Sequence, residues 1–134
     1  MTVSLKFDGY IAVLFVKDLN RARDFYQNVM GLELQYGDDV SGAFKIDPDT
    51  LLILDHTGAD NLLSPGDVDH QPARGARSVL ATAVENVDAA YEELRSRGVE
   101  FIRPPEDRSW GLRCAHFKDP DGNIWEIHAP VPEQ

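Results

Sequence analysis

The chain has 134 residues, a formal net charge of −10 and 43% hydrophobic residues. That length fits one compact unit, and 13 basic residues against 23 acidic ones exclude the clustered cations that nucleic acid or anionic membrane requires. The lone cysteine, Cys114, excludes an internal disulfide and a thiolate zinc site, and reads as a small buried residue.

Tyr10 to Val16 is continuously apolar and rich in β-branched residues, which predicts a strand buried on both faces. Asp18 is placed to cap a helix in which Leu19, Ala22, Phe25, Tyr26, Val29 and Met30 recur at helical spacing, and Gly31 stops it. Leu32 to Tyr36, Gly42 to Ile46 and Leu51 to Leu54 read as three further strands. Residues 56–76 are polar, acidic and broken by Gly58, Gly66, Gly75, Pro65 and Pro72, the composition of a loop.

The order then repeats. Ser78 to Val84 predicts a strand, Asn86 caps a helix carrying Val87, Ala90, Tyr91 and Leu94, and Gly98 ends it. Val99 to Ile102, Leu112 to Lys118 and Asn123 to His128 read as strands, the last two joined by the turn Asp119-Pro120-Asp121-Gly122. Arg95 and Arg97 complement the helix dipole and need no partner. The expected fold is α+β: two strand–helix–three-strand modules, about 7–55 and 77–130, forming a curved mixed sheet around a cleft with helices outside. The absence of a long apolar run and of a signal-peptide core in Met1 to Tyr10 makes a cytoplasmic location the expectation.

Three stretches carry a likeness to a known family: Val16 to Leu34, Val84 through Gly98-Val99, and Trp110-Gly-Leu-Arg113 followed by Phe117 to Ile127. Together they resemble the vicinal oxygen chelate superfamily of glyoxalase I, bleomycin-resistance proteins and extradiol dioxygenases. The resemblance implies paired βαβββ modules, a homodimer and, in the enzymes, a divalent metal on the inner face. Carried over one by one, the family's ligand positions fall on Ile11, Val79, Leu52 within Leu51 to Leu54, and Glu126. Only Glu126 has a donor atom, with Asp55 and His56 just past the fourth strand. One carboxylate does not hold a catalytic ion, which needs about three protein ligands.

Strand alternation puts Ile124, Glu126 and His128 on one face. Glu126 is read either as a pocket carboxylate or as a structural acid paired with Arg113 across the hairpin. His116 meets Glu126 only if the hairpin register slips by one, and the pair then suits acid–base work. Trp110 is expected to wall a planar ligand or to plug the groove. Phe15, Val13, Ala81 and Ala83 share faces with Ile11 and Val79, and either make the cleft floor apolar or, for most of them, pack the core.

The expected function is a metal-free, bleomycin-resistance-like binder of a hydrophobic or cationic aromatic compound, with Glu126, Trp110, Arg113, His128 and Phe15 as ligand contacts. No cofactor is expected. The alternative is a metal-dependent lyase, isomerase or dioxygenase using Glu126 with His56, His116 or His128. A third reading makes Glu126 a general base whose pKa is raised by desolvation. A fourth is a scaffold without a ligand. The expected partners are a small molecule and a second copy of the chain, with no nucleic acid and no membrane.

Overall fold

In a computed structural model, residues 4–71 and 75–132 are described. The first module runs β1 (Ala12–Phe15), α1 (Leu19–Asp24), β2 (Glu33–Gly37), β3 (Ser41–Ile46) and β4 (Asp49–Leu54). The second runs β5 (Val79–Ala83), α3 (Val87–Ser96), β6 (Phe101–Asp107), β7 (Leu112–Lys118) and β8 (Ile124–Pro130). Between them lies α2 (His56–Leu62). The expected repeat is present in the topology: four-stranded sheets ordered β1-β4-β3-β2 and β5-β8-β7-β6, each with one parallel pair at the β1 or β5 edge.

Local chemistry sets the element ends. The Asp18 carboxylate accepts from Arg21 N at 3.0 Å, and the Asn86 side chain accepts from Ala89 N at 3.0 Å, each satisfying an orphan donor of a helix start. Helix α1 runs on as a π-helical turn over Phe25–Val29, and Gly31 and Gly98 end the two helical segments at φ 76° and 91°. Those left-handed conformations strain residues that carry a Cβ.

The modules share one core. Phe25 and Tyr26 from α1 lie against Phe117 and Trp125 of the second sheet, with ring centroids 6.3 Å and 5.9 Å apart. Phe44, Leu51 and Ile53 from the first sheet and Val87 from α3 complete this layer. Polar contacts cross the same seam: the Tyr26 hydroxyl donates to Asp119, and Trp125 Nε1 donates to the Tyr26 hydroxyl at 3.1 Å.

Four expectations need correction. The β1 segment is not buried on both faces: Ala12 and Leu14 pack on the core, while Ile11 is 60% exposed. The expected 56–76 loop contains α2, because Asp55 caps it through Gly58 N and the small Gly58 and Ala59 fit against the first module. Strand β6 runs through Pro104-Pro105 to Asp107, which an edge strand with register shifts tolerates. Arg97 does have a partner: it donates to the Val29 carbonyl at 2.9 Å, joining α3 to the first module.

Candidate functional site

Strand β8 has two unlike faces. Trp125, Ile127 and Ala129 are buried in the shared core, while Ile124, Glu126 and His128 alternate onto the other side. On β7, Ala115 and Phe117 join the core, and Cys114 and His116 belong to the opposite face. The register pairs His116 with Glu126 and Cys114 with His128. On the other flank β5 sets Val79, Ala81 and Ala83 beside Ile124, Glu126 and His128.

Asp119 fixes this register. Its carboxylate accepts from Asp121 N at 2.9 Å, from Asn123 N at 2.8 Å and from Asn123 Nδ2 at 2.8 Å. The loop therefore closes on the pair Lys118 and Ile124, and counting back from there brings His116 opposite Glu126.

Glu126 is bracketed by two imidazoles. His116 Nε2 lies 2.9 Å from Oε1 and His128 Nδ1 lies 2.8 Å from Oε2, so both carboxylate oxygens are engaged. The Glu126 side chain is 20% exposed. Burial pushes its pKa up, but hydrogen bonds from His128 and His116, with their charge, outweigh burial and hold the carboxyl below its ordinary range. This corrects the expectation of a raised value. An ionised carboxylate only accepts, so each imidazole donates to it. In the neutral rings the remaining nitrogens, His116 Nδ1 and His128 Nε2, then carry the lone pairs. His116 Nδ1 is buried and finds no hydrogen-bond partner among the described residues. A base oriented by a carboxylate is the arrangement that activates imidazole for proton transfer.

Sequence reasoning missed the other two members of this face. Cys114 is 1% exposed, and Arg108 Nε donates to its Sγ at 3.4 Å. Cys114 stands two residues before His116, so strand alternation was a signal that could have found it. Arg108 lies beyond β6, and no local pattern marks it.

The other candidates separate from Glu126. Arg113 does not pair with it, which corrects that expectation: it lies on the core-side face opposite Ala129 and binds Asp88 and Asp107, each at 2.9 Å. Trp110 is 69% exposed on the β6–β7 turn, so it plugs no groove. Phe15 is paired with Leu54 in the first sheet, on the face opposite Ala12 and Leu14. Of the implied metal positions, Ile11 precedes β1, Leu52 pairs with Val13, and Val79 lies on β5, where its neighbour across from Glu126 is Ala81. These side chains do not fit the superfamily's usual ion. The donors near Glu126 sit on β7 and β8 instead. Cys114, His116 and Glu126 each offer a ligand atom within 4.8 Å of the others, so a lone cysteine does not by itself exclude a mixed thiolate site, which corrects that expectation.

Residues 9–127 match the model of the Glyoxalase/Bleomycin resistance protein/Dioxygenase superfamily. The chain belongs to that superfamily. It is similar to the uncharacterized protein YraH of Bacillus subtilis, with 29% identity over 123 residues covering 86% of this chain and 92% of that protein. Among solved structures, a glyoxalase/bleomycin resistance protein/dioxygenase from Nocardioides aligns with a TM-score of 0.83 and 26% identity, over 98% of this chain and 92% of that one. The fosfomycin resistance protein FosX from Listeria monocytogenes shares the fold, with a TM-score of 0.72 and 24% identity over 95% of this chain and 96% of its own. No helix among the described residues is long and apolar enough to cross a membrane.

Proposed function

We propose that this superfamily member binds a small organic molecule on the open face of β5, β7 and β8 without the usual metal. The polar end of the ligand meets the His116–Glu126–His128 trio, and its apolar body lies along Val79, Ala81 and Ala83. The observation that carries this is the carboxylate bracketed by two imidazoles on a face whose β5 side is wholly apolar. Because both Glu126 oxygens already accept hydrogen bonds and His116 Nδ1 is buried, the trio with neutral rings offers the lone pair of His128 Nε2 rather than a bare anion. That favours an aromatic ligand whose polar end donates a hydrogen bond, such as a hydroxyl or an N–H, over one that only accepts. The same nitrogen can take or give a proton, so turnover of such a ligand by acid–base chemistry is within the reach of the trio. Val79, 49% exposed, together with the exposed Leu5, Phe7, Tyr10 and Ile11, leaves apolar surface that a second copy of the chain would cover.

The test is a thermal-shift and calorimetric panel of small aromatics with matched hydrogen-bond-donating and accept-only head groups. Binding is expected in the first group and is expected to fall in Glu126→Gln and His128→Gln. Binding that ignores both substitutions rejects the reading. Trp110→Ala tests whether the indole contributes to affinity, and light scattering tests the dimer.

A second reading is favoured by the convergence of Cys114, His116 and Glu126. These three would hold a divalent ion, which supplies Lewis-acid polarisation of a substrate oxygen when bound. The Arg108 guanidinium on Cys114 Sγ opposes a second positive charge there, which is why the metal-free reading comes first. Elemental analysis of protein purified without chelators decides between them. One ion per chain, lost in Glu126→Gln, establishes the second reading, and sub-stoichiometric metal rejects it.

A further inference from the structure

Away from this face, α2 and the segment after it bring together His56, Asp60 and His70. We infer that these three side chains form a site for a divalent transition-metal ion of the zinc type, independent of the Glu126 face.

The local sequence builds it. Asp55 caps α2, which makes His56 the first helical residue and sets Asp60 one turn later on the same side. The opposite side of the helix, Gly58 and Ala59, is buried. A Cβ on Gly58 would meet the Val40 carbonyl at 3.0 Å and Leu54 at 3.2 Å, so α2 lies close on the first module and its position is well determined. His56 Nε2 is 3.4 Å from Asp60 Oδ2. His70 returns from the following segment to stack on His56, with ring centroids 3.9 Å apart and planes 14° from parallel.

Three features point to an ion. One ligand atom from each residue lies within 4.8 Å of the other two. Donors on a tetrahedral zinc at about 2.1 Å stand about 3.4 Å apart, so the His56–Asp60 spacing suits a shared ion, and the stacked His56 and His70 rings would have to turn apart for both to face it. His70 Nε2 is buried, yet it finds no hydrogen-bond partner among the described residues. Buried polar atoms are normally satisfied, and an ion beside Asp60 would satisfy this one. Two imidazole nitrogens and a carboxylate oxygen suit Zn²⁺, Co²⁺ or Ni²⁺ better than Mg²⁺ or Ca²⁺, which prefer oxygen donors. The His56 side chain is 68% exposed, so the ion has a path in and a place for a water ligand. Bound there, it would clip α2 to the chain leading into the second module.

The test uses the full chain without an affinity tag. Equilibrium dialysis against Zn²⁺, and the visible spectrum of Co²⁺, are measured for the wild type, His56→Gln, His70→Gln, Asp60→Asn and Glu126→Gln, with circular dichroism as the check on folding. One ion per chain is expected in the wild type and in Glu126→Gln. Each of the three site variants is expected to weaken binding by at least about tenfold and to lose the rise in melting temperature that the metal gives the wild type. No binding in the wild type overturns the inference, as does binding that survives both histidine substitutions. Loss of all binding in Glu126→Gln alone also overturns it, by placing the ion on the other face.

Discussion

The Tyr26 hydroxyl donates to the Asp119 carboxylate across the seam between the two modules. Asp119 is only 5% exposed and also organises the β7–β8 loop through Asp121 and Asn123. Burial, then the Asp119 charge, pushes the Tyr26 pKa up, so the phenol remains a donor. One side chain therefore ties together the core of the first module and the turn that sets the register of the candidate site.

Tyr26→Phe removes that donor and leaves a buried carboxylate oxygen and the Trp125 indole N–H short of a partner. The expected cost is about 1–3 kcal/mol, read as a lower urea midpoint with an unchanged slope. A midpoint equal to that of the wild type rejects the role.

Glu126 predicts a pH dependence. Its carboxyl is held below the ordinary value, so the folded state binds that proton less readily than the unfolded chain does. The resulting stability is present above the unfolded pKa and is lost as pH falls through the lower, folded one. Between about pH 5 and pH 3 the wild type is expected to lose stability more steeply than Glu126→Gln. Parallel curves in stepwise denaturation would show that the two imidazoles do not stabilise the anion.

Arg113→Ala separates structure from site. The ion pairs with Asp88 and Asp107 are solvent-facing, so their loss is expected to cost at most about 1 kcal/mol. Ligand affinity is expected to be unchanged, because Arg113 lies on the face opposite His116 and Cys114. A marked loss of affinity with stability intact would return Arg113 to the site.

Gly58→Ala tests the seating of α2. Alanine improves helix propensity by about 1 kcal/mol, but its Cβ would press on the Val40 carbonyl, which is backbone and yields little. Net destabilisation of about 0.5–2 kcal/mol is expected by thermal melting. A gain in stability would mean that α2 sits less tightly than the structure has it.

The starts of α1 and α3 and the repeated strand order were legible in the sequence, because capping residues and apolar periodicity are local signals. The turn Asp119-Pro120-Asp121-Gly122 was legible as a turn, but not its register, which depends on where the Asp119 carboxylate points. That is why the His116–Glu126 pair appeared conditional and the Arg113–Glu126 pair appeared natural. Helix α2 escaped because its stabilisation is tertiary: His56 to Leu62 has a glycine inside and little apolar periodicity, and it holds through the Asp55 cap and close contact with Val40 and Leu54. The alternation that sets Ile124, Glu126 and His128 on one side of β8 was legible. The charge state of Glu126 was not legible, because the two histidines that set it approach from different strands.

The twin sheets share one strand order, yet their uncovered surfaces are chemically unequal. On the first, Val13, Phe15, Ala43 and Leu52 lie near β1 and β4 with the titratable Glu33, Tyr36 and Lys45 toward the β2 edge, whereas the second carries Cys114, His116, Glu126 and His128 together on β7 and β8. An aliphatic swap at Val13 or Leu52 therefore alters shape alone, whereas a polar swap among the four residues on β7 and β8 also alters charge.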